Sequence, residues 1–489
     1  MIRKVVQKIR MGLTNARTRA NRLAPHTLVL IFFLFYGSVF TATLARYEWN
    51  PTALVRFGHY YIHQNPDHTP PGTVRLLGNE KFGGNGYDGQ IFYYYARVLH
   101  EKGTWPKGFA GSYRWPRVGY PLLASLFAPA GAIFGPAAHS WAIIAGLILA
   151  QLILIPLSML CLRALLPAEQ RYLTLFYLFS PFAVQNFNIL TSDGVMLALV
   201  VMGLFYYLRL YRPREGGFTS TRDPAEAYNA TGVLEISRAE FPREFINRGA
   251  AAAAFACFAM AVLTKEQAVL ILAPLGLFAL LRRDWPRVVL MLAILLPMLG
   301  WQFYLRSVHG AVPIGFWSIF PAPFQGILGL FQATFKQLGE IAAAPSLGAF
   351  IAFAKQSARI LLVGLILGGI IGVLTGGFRR LTLNDTGGFW SPFRMAIGLT
   401  LLSVCIADYY YFWGVYENIS RMFAPLVPAV ILLKAADSRA RVYPFLFVLA
   451  LLALMVFLRL TVLAPTHPFD IWYPYTGPSY PQAPMPWSW

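Results

Sequence analysis

Apolar and polar positions fall along the chain in long blocks. Apolar stretches occupy about 26–44, 119–135, 139–162, 171–188, 193–211, 249–264, 268–281, 287–305, 349–375, 391–413, 422–435 and 442–464, and short polar connectors separate most of them. A run of ~20 apolar residues suits a helix that crosses a bilayer, and inside a bilayer a helix satisfies its own backbone hydrogen bonds. The pattern predicts an all-α, polytopic membrane helix bundle of about 11–13 transmembrane helices.

Composition agrees. Hydrophobic residues make up 57% and charged residues 13%, against ~25% charged in soluble domains, and mean hydropathy is +0.52. Disulfide scaffolds, disordered chains and coiled coils are excluded. Cys161, Cys257 and Cys405 lie in or beside apolar stretches without metal-ligand spacing and read as small core residues. The formal charge of +20 would suggest nucleic acid in a soluble protein. Here the basic residues sit mostly in connectors, which is the pattern of topology and of contact with lipid headgroups. Membrane lipids are expected partners and nucleic acid is not.

The first 22 residues carry seven basic groups and no acid. The stretch is long for a signal peptide, and no clear cleavage site follows. The reading is a retained first helix behind a basic cytoplasmic N-terminus (1–25). Placing the basic connectors 209–214, 282–287, 378–380 and 434–441 inside satisfies the positive-inside rule. The loop 48–117, residues 189–193 and the tail 465–489 then lie outside, and 212–248 is a cytoplasmic loop within a membrane domain of 26–464. One conflict results. An even number of crossings must separate 48–117 from 189–193, yet three apolar stretches intervene. One of 119–135, 139–162 and 171–188 must be short, re-entrant or kinked.

The long first loop is rich in Tyr, Gly, His and Arg, and loops of that length are more often functional than linking. It contains GGNGYDGQIFYYYARVL (83–99), where Asp88 follows Tyr87 and precedes Gln90 and Tyr94 on a helix-like stretch. A helix-capping role for Asp88 is the plain alternative. The loop re-enters the membrane at SYRWPRVGYPLLASL (112–126), where Arg114 and Arg117 suit phosphate binding or interfacial anchoring. Asp193, Lys265, Glu266 and Arg421 lie at span ends on the same face. Charges at such depth are costly and are functional hypotheses by default. The plain alternatives are a wet turn at 265–266, a Lys265–Asp193 pair, and interface anchoring by Arg421. One carboxylate in a glycine-rich loop can act as general base toward a hydroxyl, and cations can stabilise a leaving phosphate. No P-loop, HExxH or GxSxG motif is present.

Taken together, YDGQIFYYYA, YRWPRVGYPLLA, LTSDGVMLALVVMGLFYYL, LTKEQAVLILAPLGLFALLRR and SRMFAPLVPAVILL resemble the GT-C superfamily of integral-membrane glycosyltransferases, within residues 26–435. The first two look like an uncharacterised bacterial group, distantly similar to the GPI mannosyltransferase that adds the second mannose. The resemblance implies a bundle with a large first outer loop and an active site on the periplasmic or extracellular side, in a bacterial inner membrane. It implies a hexosyltransferase using a polyprenyl-phosphate-linked sugar and a lipid, glycan or protein acceptor. Asp88 would take the catalytic position. Arg114, Arg117, Lys265 and Arg421 would serve the lipid phosphate, with Tyr87, Gln90, Tyr94, Asp193 and Glu266 as further substrate-binding candidates. The loop has no DxD, which leaves a divalent metal an open question. A lipid-linked saccharide transporter or flippase, a polymerase or ligase, and a non-catalytic relative stand as alternatives. The absence of an internal repeat and the polar residues gathered at one face weigh against the transporter.

Overall fold

The computed structural model describes residues 2–75, 86–99, 105–108, 115–181, 183, 190–211, 246–309, 322–378, 391–407, 412–413, 416–437, 440–463 and 473–475. Arg114 and most of the loop 212–248 lie outside the described residues. Apart from two short strands the ordered elements are helical. Among the described residues five helical spans are long and apolar enough to cross a membrane: Pro25–Ala45, Ala138–Leu165, Trp285–Val308, Leu347–Thr375 and Tyr443–Val462. Five shorter apolar helices accompany them: Asp193–Tyr207, Arg248–Thr264, Glu266–Leu281, Pro392–Cys405 and Leu426–Ala436. The chain is a polytopic helical membrane protein.

Helix starts follow local chemistry. Pro25, Pro136 and Pro392 occupy the first turn of their helices, where the missing N–H is no loss. Asn247 caps Arg248–Thr264 by accepting from Ala250 N, and Asp284 caps Trp285–Ala293 by accepting from Arg287 N.

One end of the bundle collects the basic connectors. The N-terminal helix Ile2–Asn21 packs there: Asn21 Nδ2 donates to Glu169 O at 2.8 Å and Tyr172 N donates to Asn21 Oδ1 at 2.7 Å. Arg163, in the last turn of the long helix Pro136–Leu165, donates to Asn21 O and Leu23 O. Tyr172 meets Tyr443 hydroxyl to hydroxyl at 2.6 Å, and Arg394 pairs with Asp437 at 2.6 Å. Tyr211 donates to Asp284, which also pairs with Arg287. We call this end the near face. The described parts of three connectors, 209–211, 282–287 and 434–441, are involved in these contacts, and Arg379 and Arg380 of the fourth lie outside the described residues.

One of the three stretches in the parity conflict departs from a single span. Residues 119–135, expected as one span, form two short helices, Gly119–Ser125 and Ala128–Ala132, with a turn between them. They fold back along the first half of Pro136–Leu165. Tyr120 OH donates to Leu147 O at 2.7 Å, and Gly131 packs on Ala138 and Ala142. At a rise of about 1.5 Å per residue, 119–132 reaches about 21 Å, short of the ~30 Å hydrocarbon core. Pro129 and Gly131 interrupt the apolar run here. Pro136–Leu165 is long enough for a full crossing and 119–135 is not, while in 171–188 residues 182 and 184–189 lie outside the described residues.

The short helices share a second property. Asp193–Tyr207 runs from Asp193 to the near face, and Arg248–Thr264 runs from the near face to Lys265. By the same rise these 15- and 17-residue helices stop about 22–26 Å from the near face. Their polar ends therefore sit below the opposite face, and the first loop descends to meet them. Leu190 N donates to Leu54 O at 3.1 Å and Tyr87 N to Arg56 O at 3.0 Å. Strand β1 (Thr73–Arg75) of that loop pairs antiparallel with β2 (Tyr473–Tyr475) of the C-terminal tail.

Candidate active site

The helix Asp88–Val98 carries the loop's acidic motif, and residues 89–98 are all buried. Its middle, Ile91–Ala96, is aromatic or apolar on every side, which suits such burial. Phe57 packs edge-on against Tyr93 with ring centroids at 5.0 Å, and Phe92 meets Tyr120 at 5.3 Å. The helix begins where the chain turns at Gly86 with φ of +62°. A Cβ there would stand 2.3 Å from Arg56 O, so both the backbone angle and the space call for glycine. Asp88 is the first helical residue and makes no side-chain cap; Tyr87 holds the cap position. The carboxylate is directed at Arg421 instead.

Arg421 lies in the helix Tyr416–Met422 and bridges two carboxylates. Its Nη2 stands 2.7 Å from Asp88 Oδ2, and its Nε donates to Asp193 Oδ2 at 2.7 Å. Its Nη1 donates to Tyr87 OH at 3.1 Å and to Asn418 Oδ1 at 3.2 Å, while Tyr87 OH donates to Asn418 at 2.8 Å. Asp193 is fully buried and its other oxygen accepts from Lys265 Nζ. A few residues away, Arg117 grips Glu266 with both ends of its fork: Nε donates to Oε2 at 2.9 Å and Nη2 to Oε1 at 2.5 Å. Gly119 makes this pairing possible, because a Cβ there would meet Thr264 Oγ1 at 2.4 Å and Thr264 N at 2.6 Å. The loop's re-entry point thereby abuts the turn that carries Lys265 and Glu266.

Seven sequence-selected residues thus gather: Tyr87, Asp88, Asp193, Lys265 and Arg421 in one network, Arg117 and Glu266 beside it. Among the described residues of the cluster, Asp88, Asp193 and Glu266 face Arg421, Lys265 and Arg117. Balanced pairing is what desolvated charges demand. The Lys265–Asp193 pair, weighed above as a plain alternative, exists, and it is joined to the loop carboxylate through Arg421. Gln90 and Tyr94 lie elsewhere. Gln90 Oε1 accepts from Gly58 N at 2.8 Å, and Tyr94 OH stands 2.7 Å from Thr69 Oγ1. Both buried groups hold the loop's own fold.

Sequence reading missed Asn418, one helical turn before Arg421. The spacing i,i+3 is its signal, since it places the amide on the arginine's face. It also missed an open apolar cavity of about 460 Å³. Leu99, Val118, Leu122, Leu263, Trp301 and Tyr304 are among its lining residues. Val118 adjoins Arg117 and Leu263 lies two residues before Lys265, so the groove's lining includes chain neighbours of two of the charged residues. Trp301 Nε1 donates to Trp115 O at 2.8 Å and ties the span Trp285–Val308 to the loop.

Among the described residues no three of His, Cys, Asp and Glu converge as ligands. Asp88 and Asp193 are already faced by cationic side chains.

No protein-family model and no curated protein sequence matches the chain. Among solved structures it is similar to ArnT from Cupriavidus metallidurans in the apo state, with a TM-score of 0.36 and 14% identity over 90% of this chain and 78% of that one. It is similar to the same protein bound to undecaprenyl phosphate, with a TM-score of 0.37 and 13% identity at the same coverage. It is also similar to the apo oligosaccharyltransferase of Archaeoglobus fulgidus, with a TM-score of 0.34 and 12% identity over 91% of this chain and 57% of that one. Likeness at this level carries no argument about catalysis, which the site's own geometry must supply. By its own helices the chain is a polytopic helical membrane protein, and its likeness to these solved structures is distant.

Proposed function

We propose that the protein is a GT-C-type membrane glycosyltransferase that moves a sugar from a polyprenyl-phosphate-linked donor to an acceptor hydroxyl, at the face opposite the near face. In a bacterial inner membrane this is the periplasmic side. The observation that carries the reading is the Asp88–Arg421–Asp193–Lys265 network, with an apolar groove whose lining includes chain neighbours of Arg117 and Lys265. A lipid-linked sugar needs an apolar channel for its chain, cations for its phosphate and a base for the acceptor, and the cluster and groove supply these residue types.

In this reading the acceptor hydroxyl attacks the anomeric carbon. A carbon–oxygen bond forms as the bond to the donor phosphate breaks. Asp88 takes the hydroxyl proton, and the lipid phosphate leaves with the bonding pair. Arg421 and Arg117 stabilise the charge that builds on the phosphate, and Lys265 holds Asp193 in place beneath Arg421. A positioned base contributes about 10²–10⁴-fold, and each donor aimed at a developing charge about 10²–10³-fold.

The test is transfer of radiolabelled sugar from a panel of polyprenyl-phosphate donors by purified wild type and Asp88→Asn. Transfer by wild type alone supports the reading. Equal transfer by both proteins removes Asp88 as base. No transfer from any donor, together with no donor binding, favours the non-catalytic reading.

A further inference from the structure

Arg421 has no idle nitrogen. Nε is engaged by Asp193, Nη1 by Tyr87 and Asn418, and Nη2 by Asp88. A phosphate can gain an edge of this guanidinium only by displacing a partner. Asp88 is also occupied, because the guanidinium competes with any acceptor hydroxyl for its oxygen. While Nη2 and Asp88 Oδ2 hold each other, that N–H and that oxygen are closed to a phosphate and to a hydroxyl.

The two carboxylates on Arg421 differ in how easily they yield. Asp193 has 0% side-chain exposure and a second cation, Lys265. Moving it would strand buried charge. Asp88 has 26% side-chain exposure and sits in the first turn of a helix entered from a loop. It is the partner that solvent or a ligand reaches. A phosphate oxygen can accept from Nη2 as a carboxylate oxygen does, with charge at least equal to that of a carboxylate.

We infer that Arg421 is an exchange point, at which an entering phosphate oxygen takes Nη2 from Asp88 and the released carboxylate turns to the acceptor hydroxyl. The inference rests on the transfer reading and adds an order of events to it: donor binding and release of the base are one step. Arg421 is then a positioning residue for Asp88 as well as a phosphate ligand. Asp193 keeps the guanidinium plane in place during the exchange. By linkage the internal carboxylate and the phosphate weaken each other's hold on Arg421. Removing the carboxylate therefore tightens phosphate binding. A purely structural ion pair has the opposite consequence, since loss of a partner loosens Arg421.

The full-length protein in detergent micelles is titrated with farnesyl phosphate, and with farnesol as the uncharged analogue, by calorimetry. Wild type, Asp88→Asn, Arg421→Lys and the double variant are compared. The expected result is that Asp88→Asn binds farnesyl phosphate on the order of tenfold tighter, with farnesol affinity unchanged. In the Arg421→Lys background the tightening disappears. A wild-type preference for phosphate over alcohol without tightening in Asp88→Asn overturns the exchange and leaves the transfer reading standing. No preference for phosphate in wild type or Asp88→Asn overturns both. If Asp88→Asn melts well below wild type, Asp88→Ser replaces it in the same comparison.

Discussion

Arg421 Nε donates to Asp193 Oδ2 at 2.7 Å across 228 residues of sequence, and Asp193 has no solvent exposure. The contact joins the start of the helix Asp193–Tyr207 to the segment preceding Leu426–Ala436. It also fixes the orientation in which Arg421 faces Asp88.

Asp193→Asn leaves Lys265 and Arg421 with one buried carboxylate fewer. Removing one partner of a buried pair costs about 3–5 kcal/mol. Thermal unfolding in detergent should show a large drop. Adding Lys265→Met should recover part of it, because the second change removes one stranded charge. A drop of the same size with and without Lys265→Met would sink the account of Asp193 as shared counterion.

Asp88→Asn should behave in the opposite way. Its side chain is partly exposed, so the fold should survive with a melting temperature near wild type. Sugar transfer should fall by about 10²–10⁴-fold if Asp88 is the base. Steady-state transfer rates at saturating donor separate this from a binding defect.

The Arg117–Glu266 pair joins a side chain that is 8% exposed to one that is 40% exposed. Solvent screening on the glutamate side limits the pair to about 0–1 kcal/mol. Glu266→Gln should therefore change stability little. Arg117→Ala should weaken donor binding more than acceptor binding, as measured by the two Michaelis constants. Equal weakening would count against a phosphate role.

Gly119→Ala pushes a methyl group into Thr264, whose Oγ1 and N are 2.4 and 2.6 Å from the new atom. Overpacking of this kind costs about 1–3 kcal/mol. Because the strain falls between Arg117 and Lys265, transfer should drop along with melting temperature. Full activity with unchanged stability would show that the two segments are not held in contact.

Leu122→Trp fills the groove bounded by Val118, Leu263 and Trp301. Long polyprenyl donors should then lose affinity while farnesyl-length donors lose less. Titration with a chain-length series checks this, and an equal loss at every length would place the lipid elsewhere.

Much of this protein was legible in one dimension. Block hydropathy needed only composition along the chain, so the membrane class could be read directly. Asp88, Asp193, Lys265, Glu266 and Arg421 stood out because charges at the ends of apolar runs are costly. Gln90 and Tyr94 looked equivalent to Tyr87 by sequence proximity, yet their side chains leave the same helix in other directions and bond to Gly58 and Thr69.

By itself the sequence determined which residues must avoid lipid and which must be paired, because solvation free energy depends on residue type and local run length. Only the tertiary structure decided the pairing: that Arg421 is shared between Asp88 and Asp193, that 119–135 folds back, and that Val118, Leu263 and Trp301 line one apolar groove. Those relations join segments tens to hundreds of residues apart, and they depend on helix lengths and packing distances that no local pattern contains.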